Sequence, residues 1–188
     1  NALMAELYGK VEGCSGGYGG SMHLYDVERG NLGANAVVGG GLPQVTGTAL
    51  AYKFRKQDRV CAAFFGDGAT NTGTFHESLN LAQLWKVPAL FVLENNGWAE
   101  STPAWQHSPL KDMIDRAKAF GMHAVKVDGQ DVEGFGLHPA LADAALHGLM
   151  LRQGGDGGAQ LPFLFSAGLE LPDIETLADV IEQKVEKL

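Results

Sequence analysis

Two short apolar runs constrain the fold of this chain more than any other feature of its sequence. Residues 60–65 are followed at once by Gly66-Asp67-Gly68, and residues 88–93 are followed by Glu94-Asn95-Asn96. The segment between them, residues 74–86, carries apolar side chains near helical spacing. Parallel strands require a crossover connection of this kind. The sequence therefore predicts a strand–helix–strand unit with polar residues where each strand ends.

The same alternation of strands and helices extends along the chain, which favours an α/β fold with a doubly wound, mostly parallel sheet and helices on both faces. A length of 188 residues suits one domain spanning 1–188. We divide it into a glycine-rich segment at 1–41, a core at 42–165 and a tail helix at 172–188. The other predicted elements are helices at 42–55, 109–120, 131–151 and 177–188, and strands at 123–127 and 161–165.

Charge and cysteine content exclude several classes of protein. The net charge is −8 with no basic cluster, which argues against nucleic acid or an anionic membrane surface as a partner. No apolar run approaches about 18 residues, so no membrane span is expected. Two cysteines, Cys14 and Cys61, do not make a disulfide framework, which favours a reducing compartment. The first residues resemble the middle of a helix, so we expect a preceding segment.

The polar residues that end the two strands suit a hard cation and a phosphate group. Ligands bind beyond the carboxyl ends of parallel strands. Asp67 offers a carboxylate, Asn96 an amide oxygen and Trp98 a backbone carbonyl, which are oxygen ligands of the kind that Mg²⁺ prefers. A helix starting near Asn71 would direct its positive end at the same anion. Either motif alone is a common turn, and only their combination indicates a metal and diphosphate site.

Several separated motifs, in the same order, resemble one enzyme family. They are Phe-Gly-Asp-Gly-Ala-Thr-Asn at 65–71, Glu-Asn-Asn-Gly-Trp-Ala-Glu-Ser-Thr-Pro at 94–103, Gly-Gly-Ser-Met-His at 19–23 and Val-Asp-Gly-Gln-Asp-Val at 127–132. Over about residues 2–150 the chain resembles the alpha subunits of thiamine-dependent 2-oxo acid dehydrogenases. This family includes the pyruvate, branched-chain and acetoin types, and the stretch at 100–103 is most similar to the acetoin type.

The resemblance implies a thiamine-diphosphate-binding fold of the diphosphate-binding type, with thiamine diphosphate and Mg²⁺ as cofactors. Asp67, Asn96 and the carbonyl of Trp98 are then the metal ligands, where Trp98 stands in place of the usual tyrosine. No residue of the chain is assigned a catalytic role.

The resemblance also implies contacts with the organic cofactor. Gly68 and Ala69 would contact the diphosphate, while Ala36 and Val38 would lie near the aminopyrimidine and thiazolium rings. Two of these assignments have alternatives. Val38 could equally belong to the core, and Ala36 stands where the family usually has glycine.

The implied reaction is an oxidoreductase step on a 2-oxo acid or acetoin: decarboxylation or carbon–carbon cleavage, with acyl transfer to lipoamide. The implied partners are a beta subunit, which supplies the glutamate facing the pyrimidine in an α2β2 assembly, and a lipoyl acyltransferase core. The expected location is the cytoplasm of a bacterium or, alternatively, the mitochondrial matrix.

Two other interpretations remain open. The family's upstream Tyr-Arg-x-His segment and its Gly-His loop are not found in the sequence, so either mobile segments are left out or the protein is truncated. In the second case the chain would be a non-catalytic thiamine-diphosphate-binding or assembly module. A split transketolase-like enzyme shares the metal motif, but the Gly-Gly-Ser-Met-His segment argues against it.

The spacing of the histidines and tryptophans indicates no further functional site. His107 and His123 show no paired spacing for a metal, and His76 is expected on a helix surface or in packing. Trp85 is predicted to lie in the core.

Overall fold

The computed structural model describes residues 2–126 and the backbone of a strand at residues 161–167. The helices predicted at 131–151 and 177–188, and the tail helix at 172–188, lie outside these described residues. Within them, no helix is both long and apolar enough to cross a membrane.

Most predicted elements within the described range are confirmed, with ends shifted by one or two residues. The helices are α1 Ala2–Leu7, α2 Gly41–Phe54, α3 Gly73–Trp85, α4 Ala104–His107 and α5 Ile114–Ala119. The strands are β1 Cys61–Gly66, β2 Ala89–Asn95, β3 Trp98–Ala99, β4 Thr102–Pro103, β5 His123–Lys126 and β6 Leu161–Ala167.

The helix predicted at 109–120 is shorter than expected. Asp112 Oδ1 accepts the backbone N–H of Ile114 at 3.2 Å, so this side chain satisfies a backbone donor at the start of α5. The residues before it form no regular helix and connect α4 to α5.

The main sheet has the strand order β1-β2-β6-β5. β1 and β2 pair in parallel, from Cys61 opposite Ala89 to Gly66 opposite Glu94, which confirms the predicted strand–helix–strand unit. β6 runs antiparallel to both β2 and β5, so the described sheet is mixed and three of its four strands share one direction. The expectation of a mostly parallel sheet is met in the β1–β2 pair, while β6 departs from it.

Three of the described helices contribute buried residues to the core and pack on one face of the sheet: α2, α3 and α5. In β1, Cys61, Ala63 and Phe65 are buried, whereas Phe64 on the opposite face is 42% exposed. The helices expected on the other face of the sheet are not among the described residues that form this core. Among the large fully buried core residues, two come from α3 and two from β2: Phe75, Leu79, Phe91 and Leu93.

Two side chains test the core predictions. Cys61 is buried as expected, and burial raises the pKa of its thiol to about 11, which keeps it protonated and unreactive. The prediction that Trp85 lies in the core is wrong, because its side chain is 39% exposed. Trp85 is the last residue of α3, and Ala82 is the last fully buried position of that helix.

A single buried carboxylate organises the glycine-rich N-terminal segment. Glu6 is 1% exposed, and Oε2 accepts the backbone N–H groups of Ser15 at 2.7 Å and Gly17 at 2.9 Å. Oε1 accepts those of Gly19 at 2.6 Å and Gly20 at 3.2 Å. The loop must close around the carboxylate, and Gly17 does so at a φ of +83°, a conformation that favours glycine.

Replacement of Glu6 by glutamine is expected to loosen this loop. Burial raises the pKa of the Glu6 carboxyl, but the four backbone amides outweigh burial and hold it below its ordinary value. The stabilisation is thus present at neutral pH and is lost as the pH falls through the lowered pKa. In Glu6→Gln, one oxygen becomes an NH₂ group that cannot accept. Hydrogen exchange should therefore accelerate at the amides of Ser15, Gly17, Gly19 and Gly20.

The matched control is Glu12→Gln, since Glu12 is exposed and lies in the same segment. Its exchange pattern should equal that of the wild type. Unchanged protection of the four amides in Glu6→Gln would contradict the assigned role of the carboxylate.

Candidate functional site

The two predicted motifs lie at the same edge of the sheet. β1 ends at Gly66 and leads into a 3-10 helix, Asp67–Asn71, whereas β2 ends at Asn95 and leads into the β3–β4 hairpin. Because β1 and β2 are parallel and Gly66 is opposite Glu94, both connections leave the sheet side by side. The polar ends predicted from sequence are thus brought together by strand register.

Close backbone approach joins the two connections. A Cβ placed on Gly68 would lie 2.7 Å from the Cβ of Ala99, so only glycine fits here without a shift of β3. Asn96 Oδ1 accepts the backbone N–H of Trp98 at 2.9 Å, which closes a turn around Gly97. Asn96 and Trp98 are exposed, whereas Ala69 is buried.

Asp67 is the electrostatic centre of this edge. Its side chain is fully buried, and neither carboxylate oxygen makes a well-aligned hydrogen bond to any described residue. His107 Nε2 lies 3.2 Å from Oδ2, which is ion-pair distance, but the ring N–H is not aligned for a hydrogen bond. Burial raises the pKa of the Asp67 carboxyl. The nearby backbone amides of Asp67 and Asn96, together with His107, oppose this rise only in part.

The donor set fits a hard cation. A buried carboxylate without aligned donors is costly, and a cation that binds it directly removes that cost. Among the described residues, no three His, Cys, Asp or Glu side chains form a cluster that could hold a metal. A metal at Asp67 would therefore need amide and carbonyl oxygens, such as those predicted at Asn96 and Trp98. These are the ligands that suit Mg²⁺.

The segment that contains Ala36 and Val38 reaches the start of α3. Both residues are exposed, so the alternative that Val38 belongs to the core is wrong. A Cβ on Gly39 would lie 2.7 Å from Thr72 Oγ1 and 2.8 Å from Thr74 Oγ1. This packing holds the segment against the N-terminal end of α3, just after the 3-10 helix.

The sequence analysis missed His107 beside Asp67 and the two side chains linked to it. Asn71 Nδ2 lies 2.9 Å from His107 Nδ1, and an Arg116 guanidinium nitrogen donates to Asn71 Oδ1 at 2.8 Å. These pairs are 36 and 45 residues apart in sequence, and no spacing rule connects them. Spacing along a sequence can reveal a pair of histidines that bind one metal. His107 has no such partner, so its spacing assigns it no role.

Replacement of Asp67 by asparagine is expected to stabilise the metal-free chain. Since the folded-state pKa is raised, ionisation costs stability, and stability is lost as the pH rises above the ordinary Asp value through the raised one. The asparagine side chain cannot ionise, so Asp67→Asn should raise the free energy of unfolding at pH 7. Urea unfolding with a chelator present measures this.

Asp115→Asn is the control for charge alone, because Asp115 is exposed. It should change the free energy of unfolding by less than about 0.5 kcal/mol. A decrease in stability for Asp67→Asn would show that the carboxylate is well accommodated without a cation.

Comparisons with a family model and with individual relatives point to the same protein family. A sequence model of the family described as "Dehydrogenase E1 component" matches residues 1–136. The alpha subunit of acetoin:2,6-dichlorophenolindophenol oxidoreductase from Bacillus subtilis is 49% identical, with 70% of this chain and 40% of the relative aligned. The protein of the same name from Cupriavidus necator is 46% identical, over 84% of this chain and 45% of the relative.

A third relative is named for a different activity. The pyruvate dehydrogenase E1 component subunit alpha of Porphyra purpurea is 45% identical over 69% of this chain and 40% of its own length. The chain thus spans less than half the length of each of these three relatives. Because the family model matches more than half of the chain, this protein belongs to the dehydrogenase E1 component family.

Proposed function

We propose that this chain binds Mg²⁺ and the diphosphate of thiamine diphosphate at the edge of the sheet where β1 and β2 end. The observation that carries the proposal is the buried carboxylate of Asp67, which makes no well-aligned hydrogen bond to the described residues and lies near the Asn96 turn. Family membership supports the choice of cofactor. The sheet would then be the doubly wound, mostly parallel sheet of a thiamine-diphosphate-binding fold.

Each residue of the site has one role in this proposal. Asp67 supplies a carboxylate, Asn96 an amide oxygen and Trp98 a backbone carbonyl to the metal, and the cofactor's phosphate oxygens supply further ligands. Gly68 and Ala69 contact the diphosphate. The absence of a Cβ at Gly68 lets the 3-10 helix lie directly against Ala99, which holds the two connections together.

The remaining cofactor contacts come from the glycine-rich segment. Ala36 and Val38 are proposed to lie along the thiamine rings, and their exposure is consistent with a surface open to a ligand. Thiamine diphosphate, when bound, supplies an electron sink for cleaving a carbon–carbon bond beside a carbonyl group. The chain's own contribution is to hold the diphosphate and the metal so that the reactive ring has a fixed position.

The proposed reaction rests on the names of the relatives, and the proposed partners rest on the family resemblance. We infer an oxidoreductase subunit that acts on a 2-oxo acid or acetoin, because the relatives are named as acetoin oxidoreductase and pyruvate dehydrogenase subunits. A beta subunit would supply the glutamate that faces the pyrimidine in an α2β2 assembly. A lipoyl acyltransferase core would receive the acyl group.

Calorimetry tests the binding proposal. Wild-type chain titrated with thiamine diphosphate should release heat in the presence of Mg²⁺ and much less in the presence of a chelator. Asp67→Ala should abolish the Mg²⁺-dependent heat, because it removes the only charged protein ligand proposed. Asp115→Ala is the control and should bind as the wild type does, since Asp115 is exposed on α5. Equal binding by Asp67→Ala would contradict the metal assignment.

An activity assay tests the need for a partner. The purified chain with thiamine diphosphate and Mg²⁺ should show no turnover of pyruvate or acetoin with an artificial electron acceptor, because the proposed glutamate lies on the beta subunit. Turnover should appear when the beta subunit is added. Clear turnover by the chain alone would contradict the two-subunit proposal.

A further inference from the structure

A chain of polar contacts leads from α5 to the carboxylate proposed to bind the metal. Arg116 donates to Asn71 Oδ1 at 2.8 Å, Asn71 Nδ2 lies 2.9 Å from His107 Nδ1, and His107 Nε2 lies 3.2 Å from Asp67 Oδ2. Arg116 also donates to the backbone carbonyl of Thr70 and, at 3.2 Å, to Ser108 Oγ. The guanidinium is therefore held at three points.

The position of Arg116 fixes the orientation of the Asn71 amide. A guanidinium can only donate, so the Asn71 atom facing it must be the carbonyl oxygen. The NH₂ group of Asn71 then faces His107 Nδ1. The donor-only character of the guanidinium decides this orientation of the amide.

The orientation of Asn71 in turn fixes the tautomer of His107. An NH₂ group can only donate, so His107 Nδ1 must accept and cannot carry a hydrogen. A neutral imidazole carries its hydrogen on the other nitrogen, so Nε2 is the N–H group. As a donor, Nε2 is unable to ligate a metal and suits an oxygen partner.

The surroundings of His107 Nε2 identify the oxygen that can accept its hydrogen. The His107 side chain is 9% exposed, and Nε2 is buried without a hydrogen-bond partner among the described residues. Asp67 Oδ2, also buried and unpartnered within that part of the chain, is the oxygen at 3.2 Å. The two atoms are within hydrogen-bonding distance, and donation from Nε2 to Oδ2 would leave Oδ1 for another ligand.

We propose that His107 is a positioning residue for Asp67, held in its Nε2–H form by Asn71 and Arg116. It directs one carboxylate oxygen and leaves the other for the metal, so this inference rests on the proposed function of Asp67. Hydrogen bonds from surrounding groups to metal-ligating carboxylates are a general means of orienting them, and their loss typically costs about 10–100-fold in metal affinity.

Mn²⁺ binding in the presence of thiamine diphosphate, followed by electron paramagnetic resonance of the purified chain, tests the role. His107→Leu fills similar space without a donor and should weaken Mn²⁺ binding roughly 10–100-fold. His107→Gln places an amide N–H near the position of Nε2 and should restore most of the affinity. His123→Gln is the control, since His123 is exposed on β5 and should bind as the wild type does.

The outcomes separate this inference from the function it rests on. No Mn²⁺ binding by the wild type would overturn the proposed function and the role of His107 with it. Wild-type affinity in His107→Leu would overturn the role of His107 alone. A loss in His107→Leu that His107→Gln fails to restore would also overturn it, because such a loss would reflect packing rather than donation.

Nitrogen NMR of the metal-free chain tests the tautomer without any ligand. The wild type should show a protonated Nε2 and an unprotonated Nδ1 at His107. In Asn71→Asp the neighbouring group can only accept, so Nδ1 should become protonated. A protonated Nδ1 in the wild type, or an unprotonated Nδ1 in Asn71→Asp, would overturn the inference.

Discussion

The parallel pairing of β1 with β2 is the constraint on which the site depends. The pairing holds Gly66 opposite Glu94, so the residues that follow each strand leave the sheet at one edge. Residues far apart in sequence become neighbours only because α3 returns the chain to the start of β2 in the same direction. The contact of Gly68 with Ala99 then fixes how closely the two connections approach. A slip of one residue in this register would turn every side chain of β2 to the opposite face.

Two buried carboxylates in this chain have opposite relations to their surroundings. Glu6 is buried among four backbone amides, which hold its pKa below the ordinary value despite burial. Asp67 is equally buried but makes no well-aligned hydrogen bond to the described residues, and burial raises its pKa. The first arrangement stabilises a loop. The second costs stability in the metal-free chain, which is typical of functional positions, where a protein retains an unfavourable local environment because a ligand relieves it.

Sequence patterns predicted the elements that frame the site, because buried strands and the helix between them leave clear apolar runs and turn residues. They failed where tertiary contacts decide. Trp85 has the spacing of a core residue but lies at the end of α3, where the core ends. His107 lies against Asp67, and Arg116 is linked to His107 through Asn71, all from distant parts of the chain; no local pattern reports such contacts. Strand direction was equally hidden, since the apolar pattern of β6 is the same in either direction.

Anomalous diffraction from crystals grown with Mn²⁺ and thiamine diphosphate would locate the metal directly. We expect a single strong peak about 2.0–2.2 Å from an Asp67 carboxylate oxygen. The Asn96 amide oxygen and the Trp98 carbonyl should complete the protein ligands, and His107 Nε2 should remain outside the coordination sphere. A peak away from Asp67, or one coordinated by His107, would contradict the proposed metal site.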